Sequence, residues 1–176
     1  MRVITGKYGG RKFYPPANIP TRPTTDFAKT GLFNILNNQI DFVEVRFLDL
    51  FAGTGSLSYE FASRGCTSII SVDQDLNCVN FIKKMISEWK IEGMQVIRGE
   101  IFAFINNCRE SFDIIFAGPP YKLANISQLP DLIIERGLMA EGGWFILETS
   151  PEHDFSKHSR LFHHRNYGGT HFHFFR

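Results

Sequence analysis

The sequence predicts a doubly wound α/β fold, a mostly parallel sheet flanked by helices, closed by an antiparallel hairpin at its C-terminal end. Three observations carry this expectation. From residue 45 onward, strand-like apolar runs alternate with helix-length stretches, the pattern of consecutive βαβ units. The first run leads into Asp49-Leu50-Phe51-Ala52-Gly53-Thr54-Gly55-Ser56-Leu57. An acid ending a strand, then two glycines one residue apart, lets backbone approach a ligand in the crevice at the strand's carboxyl end. The next run, Ser68 to Val72, ends in a further acid, Asp73, placed where a carboxylate accepts hydrogen bonds from ribose hydroxyls.

Taken in order, residues 2–14 alternate loosely and turn at Gly9-Gly10, so a β-hairpin is expected. Pro15, Pro16, Pro20 and Pro23 make a stiff connector after it, since each fixes its own φ and restricts the residue before it. This sets an N-terminal hairpin and connector, residues 1–23, before a main domain of residues 24–176. Thr25 suits a helix N-cap with Asp26 in the first turn, and Phe27, Leu32, Ile35 and Leu36 share a helical face. Gly31 weakens that helix by about 1 kcal/mol relative to alanine.

Strands are expected at 45–50, 68–73, 94–98, 112–117 and 143–148, with helices between them. Leu57 to Arg64 is one such helix. Leu76 to Trp89 is the clearest, with Val79, Ile82, Met85, Ile86 and Trp89 on one face. Leu161 to Arg176 reads as two strands around Gly168-Gly169, an antiparallel pair added to a parallel sheet.

A chain of 176 residues, 43% hydrophobic and 21% charged, suits one globular unit with a substantial core. No apolar run approaches the ~20 residues of a membrane helix, and residues 1–7 lack the apolar core of a signal peptide. Cys66, Cys78 and Cys108 are odd in number and scattered, as in a reducing compartment. A cytoplasmic protein without a membrane partner is expected, and a monomer, since no helix is evidently sticky. The net charge of +1 hides an asymmetry. Arg2, Lys7, Arg11, Lys12, Arg22 and Lys29 against Asp26 give residues 1–30 a charge of +5, leaving −4 for the remainder. A basic arm on a mildly acidic body suggests a polyanionic partner.

A dinucleotide fingerprint needs a third glycine, G-x-G-x-x-G, but Gly55 is followed by Ser56, Leu57 and Ser58. Asp49 lies four residues before Gly53. A carboxylate there repels a pyrophosphate and attracts the ammonium of an amino-acid tail. S-adenosylmethionine is therefore favoured over a nicotinamide dinucleotide, and a tight turn without ligand is the plain alternative.

The strand expected at 112–117 runs into Gly118-Pro119-Pro120-Tyr121, at the mouth of the same crevice. The prolines fix backbone and offer no competing N–H, and Tyr121 can stack on a planar base. Such a site suits an exocyclic amine beside a methyl donor. The amine lone pair is delocalised into its ring, so acceptors must draw on its N–H bonds.

With these motifs the chain resembles the bacterial small-subunit (16S) ribosomal RNA guanine-N2 methyltransferase family. The resemblance rests on residues Met1 to Lys12, on Thr21-Arg22-Pro23-Thr24-Thr25-Asp26, on Leu32-Phe33-Asn34, on Asp49 to Gly55, on Ser63-Arg64-Gly65 and on Pro119-Pro120-Tyr121. It implies a Rossmann-like class I methyltransferase fold, S-adenosylmethionine as cofactor, and a guanine of the small ribosomal subunit as substrate. The candidate cofactor residues are then Asp49, Phe51, Ala52, Gly53, Gly55, Asp73, Gln74, Glu100 and Ile101, with Thr24 and Thr25. Gly118, Pro119, Pro120 and Tyr121 form the catalytic segment. Arg2, Lys7, Arg11, Lys12 and Arg22 are the candidate RNA-binding residues.

Two positions depart from the family pattern. Where the family has aspartate or asparagine before the two prolines, this chain has Gly118. It also has Glu100 where aspartate is usual. Losing the acceptor at 118 is worth about 10²–10³ in rate by analogy with oxyanion-hole deletions. An RNA- or ribosome-binding protein that keeps the cofactor pocket without turnover is therefore the rival expectation.

All six histidines lie in the last 24 residues. His171 and His173 share one face of a strand, but no Cys, Asp or Glu joins them at ligand spacing. A solvated strand face is expected there, and no metal.

Overall fold

The computed structural model describes residues 1–19 and 24–176. Seven strands form one sheet: β1 (Arg46–Leu50), β2 (Ser68–Asp73), β3 (Met94–Arg98), β4 (Phe112–Ala117), β5 (Met139–Thr149), β6 (Leu161–Tyr167) and β7 (Thr170–Phe175). Their order is β3-β2-β1-β4-β5-β7-β6. The first five pair in parallel, and β7 runs antiparallel to both β5 and β6. Strand order reverses between β1 and β4, so the carboxyl ends of these two strands frame the crevice where open α/β sheets bind ligands.

The helices are α1 (Asp26–Leu36), α2 (Ser56–Ser63), α3 (Leu76–Trp89), α4 (Ile101–Asn107) and α5 (Leu129–Glu135), with a short 3₁₀ turn before the last. Thr25 caps α1 by accepting a hydrogen bond from the Ala28 N–H. Asp75 caps α3 through the N–H groups of Asn77 and Cys78. None of the helices among the described residues is long and apolar enough to cross a membrane.

Two apolar clusters cover the sheet's two faces. One contains Phe47, Phe61, Ile82, Phe116, Ile146, Phe172 and Phe174. The other contains Leu48, Leu50, Ile115, Phe145, Leu147 and Phe175. Adjacent strand residues thus face opposite clusters, as a pleat buried on both sides requires.

The expected strands agree with this sheet to within a residue, except at β5. Pairing there begins at Met139 rather than 143, and the register shifts between Phe112 and Ile114. Gly142 takes a φ of +73°, and a Cβ on Gly143 would stand 2.9 Å from the Phe112 carbonyl oxygen. The two glycines bulge within a continuing strand instead of ending it.

The N-terminal hairpin is shorter than expected. It has a single bridge, Arg2 to Lys12, with the Val3 N–H donating to Arg11 O (3.0 Å) and the Gly10 N–H to Val3 O (2.9 Å). Beyond that point the backbone donors turn to α2. The Ile4 N–H donates to Glu60 Oε1 (2.6 Å), the Lys7 N–H to Ser63 O (2.7 Å) and the Tyr8 N–H to Ser63 Oγ (2.9 Å). A helix has taken the hydrogen bonds that a longer ladder would need. Val3, Tyr8 and Phe13 are buried in the first cluster.

Beneath this segment lies a buried charge network. Lys29 Nζ lies 3.1 Å from Glu60 Oε1 and donates to the Arg2 carbonyl (2.6 Å) and to Ser56 Oγ (3.1 Å), while Arg64 also pairs with Glu60. Both charges of the central pair are thus paired and hydrogen-bonded, the condition for burying them. The network ties α1 and the N-terminal loop to α2, the helix that opens on the glycine turn.

Candidate cofactor and substrate cleft

A cavity of about 650 Å³ opens at the carboxyl ends of β1 and β4. Asp49, Phe51, Ala52 and Gly53 line one side, and Gly118, Pro119, Pro120 and Tyr121 the other. The two motifs, separated by more than sixty residues in sequence, meet because β1 and β4 are adjacent and parallel. Asp73, Gln74 and Thr24 also reach the wall.

The turn after β1 is built by its own backbone. Phe51 has a φ of +60°, and Gly53 and Gly55 have +56° and +78°. A left-handed phenylalanine is a costly conformation, of a kind that clusters at ligand sites. The Ala52 N–H donates to Val72 O (3.0 Å), the Gly55 N–H to Ala52 O (2.8 Å) and the Gly53 N–H to Asp73 Oδ2 (2.7 Å). Asp73 also accepts from the Asp75 N–H (2.9 Å). It therefore braces the turn from the neighbouring strand.

Asp49 is 2% exposed and accepts a hydrogen bond from Ser58 Oγ at 2.6 Å. Burial pushes its carboxyl up from 3.8 to about 7; Ser58 opposes the rise, and the carboxylates of Asp73 and Glu148 add to it. Burial likewise raises Asp73. With Asp75, four acids line this half-enclosed space, an arrangement that a cationic ligand would relieve.

Glu148 is the residue that motif reading missed. It is the last residue but one of β5, is 6% exposed and lines the cavity. Thr24 Oγ1 donates to its Oε2 at 2.6 Å and the Tyr121 hydroxyl to its Oε1 at 3.5 Å. Ala117 pairs with Leu147, so Gly118 and Glu148 follow side by side one step further along the strands. Its signal was present in the sequence: an acid closing an inner apolar run, as Asp49 and Asp73 do. Asp75, Cys78 and Phe116 also line the wall, and none carried a comparable signal.

Other candidates lie off the wall. Thr25 is spent as the α1 cap. Glu100 caps α4, accepting from the Phe102 N–H (3.0 Å) and the Ala103 N–H (2.7 Å), so its carboxylate faces its own helix. Ile101 is buried in the second cluster. Gly55 shapes the turn from behind, where a Cβ would meet the Tyr59 ring at 2.7 Å. Arg22 lies outside the described residues.

Of the basic side chains, Lys7, Arg11 and Lys12 are exposed. Arg11 rides over the rings of Tyr8 (5.2 Å) and Trp89 (5.7 Å), and Arg2 is paired with Asp26 at 2.9 Å.

Sheet, switch-point crevice and braced glycine turn together are those of a class I methyltransferase fold. The whole chain, residues 1–176, matches the family described as Conserved hypothetical protein 95, and it belongs to that family. Among its relatives, the Bacillus subtilis protein YlbH is 36% identical over 156 residues, covering 86% of this chain and 84% of YlbH. Ribosomal RNA small subunit methyltransferase D of Haemophilus influenzae is 30% identical over 156 residues, 86% of this chain and 80% of that protein. A hypothetical protein of Thermus thermophilus superposes with a TM-score of 0.87 at 26% identity, over 99% of this chain and 98% of that one.

Proposed function

We propose that this chain transfers a methyl group from S-adenosylmethionine to the exocyclic N2 amine of a guanine in the 16S RNA of the small ribosomal subunit. The observation that carries this reading is the convergence, in one cavity, of the acid-braced glycine turn with the Pro119-Pro120-Tyr121 segment and Glu148. The family relatives named for small-subunit ribosomal RNA methylation support the substrate class.

The cavity's donor set fits the cofactor. Asp49, buried and held neutral-leaning by its surroundings, gains a partner in the ammonium of an amino-acid tail. The loop from Phe51 to Gly53 offers backbone at close approach, and Asp73 and Gln74 stand where a ribose would be read. The cofactor supplies an electrophilic methyl on a sulfonium.

On the substrate side, Tyr121 offers a ring for the unstacked base, as a single-stranded or flipped nucleotide requires. Glu148 supplies the side-chain acceptor that position 118 lacks, and the Pro119 carbonyl is the second acceptor. As the amine nitrogen bonded to the methyl carbon, the methyl–sulfur bond would break to leave a neutral thioether, and the nitrogen, now cationic, would shed a proton. A carboxylate beside it stabilises that charge and takes the proton. Lys7, Arg11 and Lys12 hold phosphates of the same RNA, and the protein works as a monomer in the cytoplasm, where its substrate is assembled.

Gly118 by itself favours the second reading, a ribosome-binding protein without turnover. The position of Glu148 argues against it. The test is transfer of labelled methyl from S-adenosylmethionine to small subunits lacking guanine-N2 methylation, with nuclease mapping of the product. Label as N2-methylguanine in 16S RNA supports the proposal. Cofactor binding without transfer supports the second reading.

A further inference from the structure

The C-terminal hairpin carries a second group of functional side chains, on the sheet face opposite Glu148. His171 and His173 lie two residues apart on β7, and β6 brings His164 directly opposite His173. One ring nitrogen from each of the three lies within 4.8 Å of the others. His173 is 3% exposed, so this is not the solvated strand face that the sequence suggested.

The Thr149 hydroxyl lies 2.9 Å from the Ser150 carbonyl, to which it donates, and 3.0 Å from His173 Nε2. With Thr149 so engaged, its oxygen can accept from an Nε2-protonated ring, the tautomer that leaves a lone pair on Nδ1. His173 Nδ1 is buried and, among the described residues, has no hydrogen-bond partner. A buried, unsatisfied polar atom in a packed protein calls for an explanation. In the same cluster, His164 Nε2 and His171 Nδ1 stand 3.1 Å apart.

We propose that His164, His171 and His173 form a binding site for a divalent transition-metal ion, zinc in the first instance. Two imidazoles at i and i+2 on one strand, with a third across an antiparallel ladder, put three rings on the same side of the sheet, where the His164 ring, now stacked on His173 at 4.8 Å, turns to bring the three nitrogens to one point. That is a facial set for a tetrahedral ion, with one position left for water. Metal–nitrogen bonds of about 2.0–2.1 Å put ligand nitrogens roughly 3.3 Å apart, so closure from 4.8 Å asks for rotation of the exposed His164 ring. The hydrogen between His164 and His171 then moves to an outer ring nitrogen, and both lone pairs turn inward. Thr149 holds the His173 ring from behind, as hydrogen-bonded outer groups hold zinc-ligating histidines. Phe155, packed edge-on against His173 at 4.8 Å, dries one side of the site. Imidazole-only ligation suits zinc and its borderline neighbours over calcium or magnesium.

The site would clip β6, the edge strand, to β7, and the proposal is independent of the methyl-transfer reading. It is tested by calorimetric titration of zinc into metal-stripped protein carrying no oligohistidine tag, with thermal melts in parallel. The expected result is one ion per chain with a Kd at or below about 10 μM and a raised Tm, since an ion that binds only the folded chain stabilises it. His164→Ala and His171→Ala, both at the outer side of the cluster, should weaken binding at least about tenfold. Cys108→Ser should leave it unchanged. No stoichiometric binding, binding that survives both histidine variants, or binding lost with Cys108→Ser would overturn the assignment.

Discussion

Glu148 Oε2 stands 4.0 Å from the point where a Cβ on Gly118 would lie. A carboxylate from β5 thus reaches the edge of the space that a side chain on 118 would enter. On this arrangement Glu148→Gln lowers the methyl-transfer rate by about 10²–10³, the size of an oxyanion-donor deletion. Gly118→Asp in the native background gives no gain, because a second carboxylate beside Glu148 is repelled by it. In the Glu148→Gln background the same change recovers at least about tenfold of the loss. Single-turnover rates of the four proteins check the cycle.

In the proposed function, Asp49 makes both stability and cofactor affinity depend on pH. Its carboxyl is raised from 3.8 to about 7 in the folded chain, so the folded state binds its proton more tightly than the unfolded state. Its contribution to stability is therefore highest below pH 4, falls as pH rises toward 7, and levels off above it. Asp49→Asn removes that loss and should melt above the native protein at pH 8 without cofactor, by an amount bounded by about 4 kcal/mol. Cofactor binding should tighten from pH 6 to 8 and release a proton, read by calorimetry in buffers of different ionisation enthalpy. The asparagine variant should bind weakly at every pH.

Gly31 distinguishes helix propensity from packing. Alanine would favour α1 by about 1 kcal/mol on propensity alone. Its Cβ, however, would stand 2.2 Å from the Tyr167 ring, which is itself packed against Phe27 and Phe172. Overpacking wins, and Gly31→Ala should destabilise the protein by about 1–3 kcal/mol in urea unfolding. Gly31→Ala combined with Tyr167→Ala should recover part of that loss.

If the exposed cations hold RNA phosphates, as proposed, they set the salt dependence of binding. Lys7→Ala, Arg11→Ala and Lys12→Ala should each lower the log–log salt slope by about 0.7–0.9. Arg2→Ala should do less, because Asp26 already pairs with its guanidinium. Filter binding across a salt series checks both.

Most of the sheet was legible because its inner strands are buried on both faces and have an acid or a glycine at or beside their ends, as at Asp49, Asp73 and Gly118. The helix cap Thr25 works through a neighbour three residues away, so local chemistry reveals such a position. What stayed hidden depends on pairing across long separations. Glu148 meets Gly118 only through the β4–β5 register. His164 joins His171 and His173 only through the β6–β7 ladder. The N-terminal ladder is short because Ser63 and Glu60, more than fifty residues away, take its hydrogen bonds. Glu100 lies off the cavity wall for a local reason. Its nearest N–H donors belong to its own helix, and that local bond competes with a ligand.

The most direct measurement is methyl transfer by the native chain and Glu148→Gln to small subunits lacking guanine-N2 methylation, with the cofactor Kd measured on both. The expected result is N2-methylguanine with the native chain, a rate lower by about 10²–10³ with the variant, and cofactor affinities within about threefold of each other. Tight cofactor binding by the native chain with no methyl transferred, or a variant as fast as the native chain, would contradict it.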